Sequence, residues 1–396
     1  MSIKIILVDI SDTLVEPNGQ LVRGSLEMLI KLNRSGISVF LVSNKSNSNM
    51  KISEVAHLTQ EILTPSVVGG RKGTGKFVNY IAEREGLERS EILYLGDTEQ
   101  DMWECSNSDV LFLRADWSKN SNKTRYGIRF TTPESVAEHI IYYFSKSEYW
   151  YFELNGSDNL SRAYEYKALF NSHLTTITYI KHILKGMPLP RFKDDHRSRA
   201  KWFLVLHFIA SLYLSGYLTR DKKRGKPILC IYPGHRAQQS GFLSEITELI
   251  PVLSNSVEFI PDLLIRHAAA PKSALLRKKG GQPTFYSQIS TIHLAADYRS
   301  KIEGRRVIIL DDFTTQGYGF EAARNQFLNG GAGSVCCIAI GKFGYTSTIC
   351  IPDKDVEWDS FCPNSIQDVD FLQSTVRGII KEKASIVPSN LLPEEA

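Results

Sequence analysis

Arg306-Val307-Ile308-Ile309-Leu310-Asp311-Asp312-Phe313-Thr314-Thr315-Gln316-Gly317-Tyr318-Gly319 is the stretch on which the reading of this 396-residue chain turns. An apolar run leads into paired carboxylates, then a small polar loop bearing glycines, then a helix-like segment from Glu321 to Leu328. The pattern predicts a buried parallel strand that ends in a turn whose backbone amides can cradle phosphate. Asp311 and Asp312 would stand beside that turn, able to hold a sugar diol. A solvated acidic strand end, or a magnesium site of another α/β enzyme, would look similar at this level.

Working outward, the chain alternates such strands with amphipathic helices. In the amino-terminal part the strand-like runs are Ile3–Val8, Ile37–Val42, Val67–Val68, Ile92–Leu95 and Val110–Leu113, with helical patterns at Gly24–Asn33 and Lys76–Glu85. That is the signature of an open parallel sheet. Between about Ser145 and Tyr217 the strand signal fades, and apolar residues recur at helical spacing through Arg162–Leu184 and Ser198–Leu214. The alternation resumes at Pro227–Tyr232, Val257–Ile265, Val307–Leu310 and Ser334–Ile340. The expected organisation is therefore an α/β domain over 1–145, a helical connector over 146–220, a second α/β domain over 221–345 and a polar C-terminal extension over 346–396 whose last residues are loosely held. Both α/β domains are expected to be Rossmann-like parallel sheets.

Composition bounds the function. The apolar share of 42% and charged share of 23% are those of a globular chain with a sizeable core. A net charge of +4, with the basic residues scattered, is too mild to draw nucleic acid by bulk attraction. Trp202–Leu214 is too short to span a bilayer and is broken by His207 and Ser211. A strand begins almost at residue 1, leaving no room for a signal peptide, and the six cysteines show no CxxC pair. A reducing cytoplasm fits these features. Homo-oligomers remain compatible with the sequence.

Carboxyl ends of strands are where open α/β sheets hold ligands, and the first such ends carry chemistry. Ile5-Ile6-Leu7-Val8-Asp9-Ile10-Ser11-Asp12-Thr13 delivers an aspartate, Phe40-Leu41-Val42-Ser43-Asn44 a serine, and Leu93-Tyr94-Leu95-Gly96-Asp97-Thr98-Glu99-Gln100-Asp101 two more acids, while Lys72 precedes a helix. Nucleophile, hydroxyl, cation and acids on one sheet edge suit magnesium-assisted phosphoryl transfer. These pieces, in this order, resemble the haloacid dehalogenase-like hydrolases over roughly residues 1 to 145. The resemblance implies Asp9 as nucleophile, Ser43 and Lys72 as phosphate ligands, and Mg2+ held by Asp9, Asp97, Asp101 and the carbonyl of Ser11, acting on a phosphorylated metabolite. It also implies an aspartate two positions after the nucleophile as acid and base. Ser11 stands there instead, a loss that typically slows turnover by about 10²–10⁴. The short spacings from Asp12 to Ser43 and from Ser43 to Lys72 leave no place for a large cap domain. Gly70-Arg71-Lys72-Gly73-Thr74-Gly75-Lys76 also approximates a P-loop, though Phe77 replaces its Ser/Thr, and Lys76 is the alternative phosphate lysine.

The opening stretch resembles the phosphoribosyl-diphosphate (PRPP) loop of type I phosphoribosyltransferases. By that resemblance Asp311 and Asp312 grip the ribose hydroxyls and the loop Thr314, Thr315, Gln316, Gly317, Tyr318 and Gly319 wraps the 5-phosphate. Gln316 and Gly319 replace the family's small hydroxyl residues. A diphosphate-binding turn is then expected after an earlier strand, and Ile228-Leu229-Cys230-Ile231-Tyr232-Pro233-Gly234-His235-Arg236 supplies one through Gly234 and Arg236. Arg266 and Lys272 are further diphosphate or base contacts. The expected function is Mg2+-dependent phosphoribosyl transfer from PRPP to a nucleobase-like or other nitrogenous acceptor, joined to phosphate-ester hydrolysis. The alternative is a PRPP or nucleotide sensor that binds without turnover.

Overall fold

Ile5–Asp9 (β1) is buried along its whole length and has a strand on either side, which is why its sequence is uniformly apolar up to the final acid. In this computed structural model, which describes residues 2–45, 52–146, 148–173, 194–221, 223–234, 242–270, 284–353, 357–366 and 369–385, the chain divides into two units. The first comprises Met1–Ser147 with the returning segments Leu206–Arg220 and Leu249–Val257. Its strands are β1, Ser38–Val42 (β2), Ile62–Leu63 (β3), Ile92–Gly96 (β4), Leu111–Ala115 (β5) and Ile128–Phe130 (β6). They pair in parallel in the order β3-β2-β1-β4-β5-β6. The order reverses at β1, so the loops leaving β1 and β4 part and open a crevice at their carboxyl ends.

Helices Ser25–Arg34, Lys76–Glu85 and Glu99–Ser108 connect these strands, and Pro133–His139 follows β6. Leu7, Val42, Phe77, Val78, Ile81, Tyr94 and Phe112 form part of a buried cluster between them. Residues Val67–Val68, expected as a strand, belong to a one-turn helix, Pro65–Val68, because Pro65 at the first helical position presets φ; the strand lies just before it. The returning segments are tied in by Tyr213, whose hydroxyl donates to the carbonyls of Arg89 and Ile92, and by Arg220, which pairs with Asp109 at 2.6 Å.

The second unit contains Phe152–Ser157 (β7), Ala163–Asn171 (β8), Ile228–Ile231 (β9), Glu258–Phe259 (β10), Leu264–Arg266 (β11), Ile292–Leu294 (β12), Arg306–Thr314 (β13), Ser334–Lys342 (β14), Thr346–Pro352 (β15), Phe371–Arg377 (β16) and Ile379–Ile380 (β17). Its main sheet runs β10-β9-β13-β14-β8-β7-β17, parallel from β10 to β8 and antiparallel beyond. The pairs β11–β12 and β15–β16 are separate antiparallel ribbons.

Two expectations are corrected here. Residues 152–157 and 163–171, assigned to a helical connector, are strands of the second sheet. Strand β8 is flanked by β14 and β7, and burial on both faces removes the polar alternation that marks an exposed strand, leaving an apolar run open to a helical reading. The helical expectation does hold for Asp194–Leu214. The region after Thr346, expected as a polar extension, contributes β15, β16 and β17; its last residues, expected to be loosely held, lie outside the described residues. Among the described residues no helix is long and apolar enough to cross a membrane, and all six cysteines are free thiols, five of them buried.

Candidate active site

The crevice between β1 and β4 gathers the acids predicted for it. Asp9, Asp97 and Asp101 are buried, and one oxygen from each lies within 4.8 Å of the others. Lys72 Nζ enters this cluster, 2.5 Å from Asp9 Oδ1 and 2.8 Å from Asp101 Oδ1. Burial works against the Lys72 ammonium, but the two carboxylates outweigh it and hold its pKa above the ordinary value. Asp101 is saturated: Oδ1 accepts from Lys72 and from the Tyr94 hydroxyl at 2.7 Å, and Oδ2 accepts from both the amide and hydroxyl of Thr98. Those donors overcome burial and keep its pKa below the usual carboxylate range. Asp101 thus positions Lys72 and caps its own helix. Asp9 has the opposite balance, for burial first and the Asp101 charge second push its carboxyl well above that range.

Three carboxyl groups gather around one ammonium in a buried pocket of hard oxygens, a donor set that fits Mg2+, whose charge would favour their ionised forms. Asp9, Asp97 and the carbonyl of Ser11 would hold the ion, with Asp101 behind them. When bound, the ion polarises a phosphoryl oxygen and offsets charge that Lys72 alone cannot. Asp97 is oriented for this by Thr13 Oγ1 at 3.1 Å, Ser118 Oγ at 2.6 Å and Asn120 Nδ2 at 3.0 Å. Ser43 is buried at the end of β2, where its hydroxyl accepts from the Lys45 amide at 3.0 Å. Lys76, the alternative phosphate lysine, instead donates to the Gly69 carbonyl from an exposed position.

Glu104 is the residue that reading the sequence missed. Its Oε2 accepts from the amides of Gly73 at 2.8 Å, Thr74 at 3.0 Å and Gly75 at 2.8 Å, and its Oε1 from Phe77 at 2.7 Å and Val78 at 3.3 Å. The loop after Lys72 is therefore wrapped around an internal carboxylate, which also satisfies the open amides at the start of helix Lys76–Glu85. This disposes of the P-loop alternative, since the amides that would cradle an external phosphate are already taken. Asp101, Glu104, Cys105 and Ser108 recur at i, i+3, i+4 and i+7 and are all buried, so helical periodicity was the available signal.

Ser11 lies two residues after Asp9 and offers a hydroxyl where the resemblance implies an aspartate. Asp12 adopts a left-handed backbone (φ 62°) and its Oδ2 accepts from Asn120 Nδ2 at 3.1 Å. The same amide serves Asp97, so Asp12 joins the edge of the site through Asn120.

The second unit has its own switch point. The chain passes from β9 outward to β10, then returns to lay β13 on the other side of β9. The turn containing Gly234 and the stretch from Asp311 to Gly319 therefore meet at neighbouring carboxyl ends, with the Tyr232 amide donating to Leu310 O at 2.7 Å. The strand runs on through both acids to Thr314, so Asp311 and Asp312 lie within β13. Both are half-buried and, among the described residues, neither makes an ion pair. Their oxygens accept local amides, Asp312 N on Asp311 and Phe313 N on Asp312. Burial and then the Asp312 charge hold the Asp311 carboxyl well above its usual pKa, opposed in part by Arg266.

The loop that follows is held by its carbonyls. Thr314 O accepts from Phe343 N and Gln316 O from Thr348 N, while Thr315 O accepts from the buried Lys342 ammonium, whose pKa burial pulls down to about 8. Gly317 is left-handed (φ 79°) and caps the helix Tyr318–Asn329. A Cβ on Gly319 would come within 3.0 Å of the Tyr232 ring. Arg266 is buried and gives its donors to neutral partners, among them Gly234 O at 2.7 Å and the Tyr232 hydroxyl at 3.1 Å. Arg236 and Lys272 lie outside the described residues.

The haloacid dehalogenase-like hydrolase family model matches residues 2–115. A crystal structure of a haloacid dehalogenase-superfamily hydrolase, subfamily IA, variant 1, from Geobacter sulfurreducens PCA is 14% identical, covering 35% of this chain and 99% of its own, with a TM-score of 0.29. The cobalt-bound deoxy-D-mannose-octulosonate 8-phosphate phosphatase from Haemophilus influenzae is 13% identical over 36% of this chain and 88% of its own, with a TM-score of 0.30. No curated protein matches. The amino-terminal part of the chain, residues 2–115, is a haloacid dehalogenase-like hydrolase domain.

Proposed function

We propose that the chain is a Mg2+-dependent phosphohydrolase in which Asp9 is the nucleophile. The supporting observation is the buried cluster of Asp9, Asp97 and Asp101 around Lys72 at the β1/β4 switch point. The unshared oxygen of Asp9 attacks phosphorus, the bond to the leaving oxygen breaks, and water then cleaves the aspartyl phosphate to release inorganic phosphate. Lys72 holds the Asp9 carboxylate in place and neutralises the transferring group. Ser11 offers no acid, which favours esters whose leaving group departs unaided. Phosphate release from 4-nitrophenyl phosphate with Mg2+ tests this: Asp9→Asn should abolish it, and release surviving in that variant, or absent from the unaltered protein, would overturn the reading.

For the second unit the reading is a PRPP-type site, favoured by the meeting of the Gly234 turn and the Asp311–Gly319 stretch at one switch point. Asp311 and Asp312, free of ion pairs among the described residues, suit a sugar diol. Transfer of phosphoribose to a nitrogenous acceptor is the catalytic form of this reading. Binding without turnover is the other form, and Gln316, Gly319 against Tyr232, and the internally satisfied Arg266 favour it. Thermal unfolding with Mg2+ and PRPP should show stabilisation that Asp312→Asn removes. No shift beyond that given by ribose 5-phosphate would sink both forms, and diphosphate release with a nucleobase would separate them.

A further inference from the structure

The two turns that meet at the second unit's switch point are each backed by a buried cation, Lys342 at 0% and Arg266 at 4% exposure. Lys342 lies behind the Thr314–Gly319 loop. Its ammonium donates to the carbonyls of Thr315, of Thr346 at 2.7 Å and of Phe343 at 3.2 Å, and sits 5.0 Å from the centre of the Phe152 ring. Arg266 lies behind the Gly234 turn, donating to Gly234 O at 2.7 Å and Pro233 O at 3.4 Å, and otherwise to Tyr232, Gln288 and Thr291. All these acceptors are neutral, and among the described residues neither cation makes an ion pair.

In a trans peptide the carbonyl and the amide that follows it point opposite ways. Thr315 O and Gln316 O are turned onto Lys342 and the Thr348 amide, so the amides of Gln316 and Gly317 face away from those donors. Neither has a protein acceptor among the described residues, and the helix Tyr318–Asn329 begins beside them. Pro233 O, turned onto Arg266, likewise aims the Gly234 amide away. A buried charge is costly unless something answers it. Burial alone pulls the Lys342 pKa down, to about 8, so the ammonium persists at neutral pH with no carboxylate opposing that shift. Asp311 registers the Arg266 charge, but after burial and the Asp312 charge, and its oxygen is bonded to the Asp312 amide rather than to the guanidinium. The outward amides mark where the answering charges belong, across each turn from its cation.

We infer that Lys342 and Arg266 are positioning residues that serve the two ends of one doubly phosphorylated ligand. Each orients its turn through the carbonyls and supplies a fixed positive charge from behind it: Lys342 for a phosphate monoester on the Thr314–Gly319 loop, Arg266 for a diphosphate on the Gly234 turn. The inference rests on the PRPP-type reading above and adds to it a division of labour between two cations that touch backbone and not ligand.

Calorimetry on the full chain with Mg2+ reads the affinities for PRPP, ribose 5-phosphate and diphosphate separately, with Asp9→Asn in every protein so that the first site does not hydrolyse the probes. Lys342→Gln keeps a donor for the carbonyls and removes the charge. It should weaken ribose 5-phosphate by on the order of tenfold and leave diphosphate nearly unchanged, and Arg266→Gln should do the converse. Lys342→Arg and Arg266→Lys keep the charge and should restore most of the affinity. They also stand in wherever thermal unfolding shows that a Gln variant has not folded, and a full loss of binding in them would overturn the assignment. A merely structural role would lower Tm and both affinities together. Equal losses for the two probes, no loss, or binding of PRPP with neither fragment overturns the assignment and leaves the PRPP-type reading standing. If the parent protein binds none of the three, that reading fails and this inference fails with it.

Discussion

Replacing Glu104 by Gln keeps its shape and exchanges one acceptor oxygen for a donor. The smallest disruption puts the new amide nitrogen where Oε1 now accepts from Phe77 at 2.7 Å and Val78 at 3.3 Å, sparing the three bonds on Oε2. The Val78 contact is long, so the loss amounts to one good hydrogen bond plus a donor facing donors. A buried donor left unsatisfied costs about 1–3 kcal/mol. Part is recovered because the charge is held at a cost: burial pushes the Glu104 pKa up despite the amides that oppose it. A net loss of about 2 kcal/mol follows, and for a unit of this size about 2–4 °C of Tm per kcal/mol gives a fall of roughly 4–8 °C. The loop carrying Lys72 loses its anchor at the same time, so phosphate release should drop by on the order of tenfold or more. Calorimetry and the aryl phosphate assay read both, with the exposed Glu99→Gln as control. An unchanged Tm and an unchanged rate in Glu104→Gln would refute the role given to this carboxylate.

In the second unit, Arg324 is fully buried and bonded to both oxygens of Glu321 at 2.9 and 3.0 Å and to Asp158 at 3.1 Å. Arg324→Met should cost about 3–5 kcal/mol by leaving Glu321 without its cation, while Asp158 keeps Arg162 at 2.8 Å; the loss is seen as a lowered denaturation midpoint, with part of it restored by adding Glu321→Gln. His207 is buried, and burial first, then the nearby Lys146 charge, depress its pKa well below 6.5. The unfolded chain therefore binds an extra proton below pH 6.5, and stability should fall there by up to about 1.4 kcal/mol per pH unit. Denaturant titrations of His207→Leu should lack that share of the slope, and an identical pH profile would count against the assignment.

Much of the first site was legible because Asp9, Ser43 and Asp97 each follow a strand's mostly apolar run. Asp9 and Asp97 sit where uniformly buried strands end, and no partner elsewhere in the chain is needed to foresee it. The phosphate lysine could be narrowed in the sequence to Lys72 or Lys76, and only the structure puts Lys72 against Asp9 and Asp101. Glu104 escaped because a glutamate in a polar helix reads as solvated, whereas its five amide partners come from a different segment. Glu321 and Arg324 were hidden for the same reason, as a charged pair gives no sign that it will be buried. Strand β8 was misread because Tyr164, Tyr166, Ala168 and Phe170 carry an alternation that burial of Lys167 and Leu169 on the other face disguises.

The returning segments Leu206–Arg220 and Leu249–Val257 bear on how this protein could have been assembled and how it can be taken apart. A gene fusion of two finished modules would leave each encoded by an unbroken interval. Here the hydrolase half borrows Phe208, Ile209, Leu212 and Tyr213, all buried, from sequence lying far beyond residue 147. A fragment cut at that point would bare a greasy flank and lose the Tyr213 and Arg220 tethers, so it should precipitate rather than fold. The two units are interleaved along the sequence, and a cut after residue 147 divides the first of them.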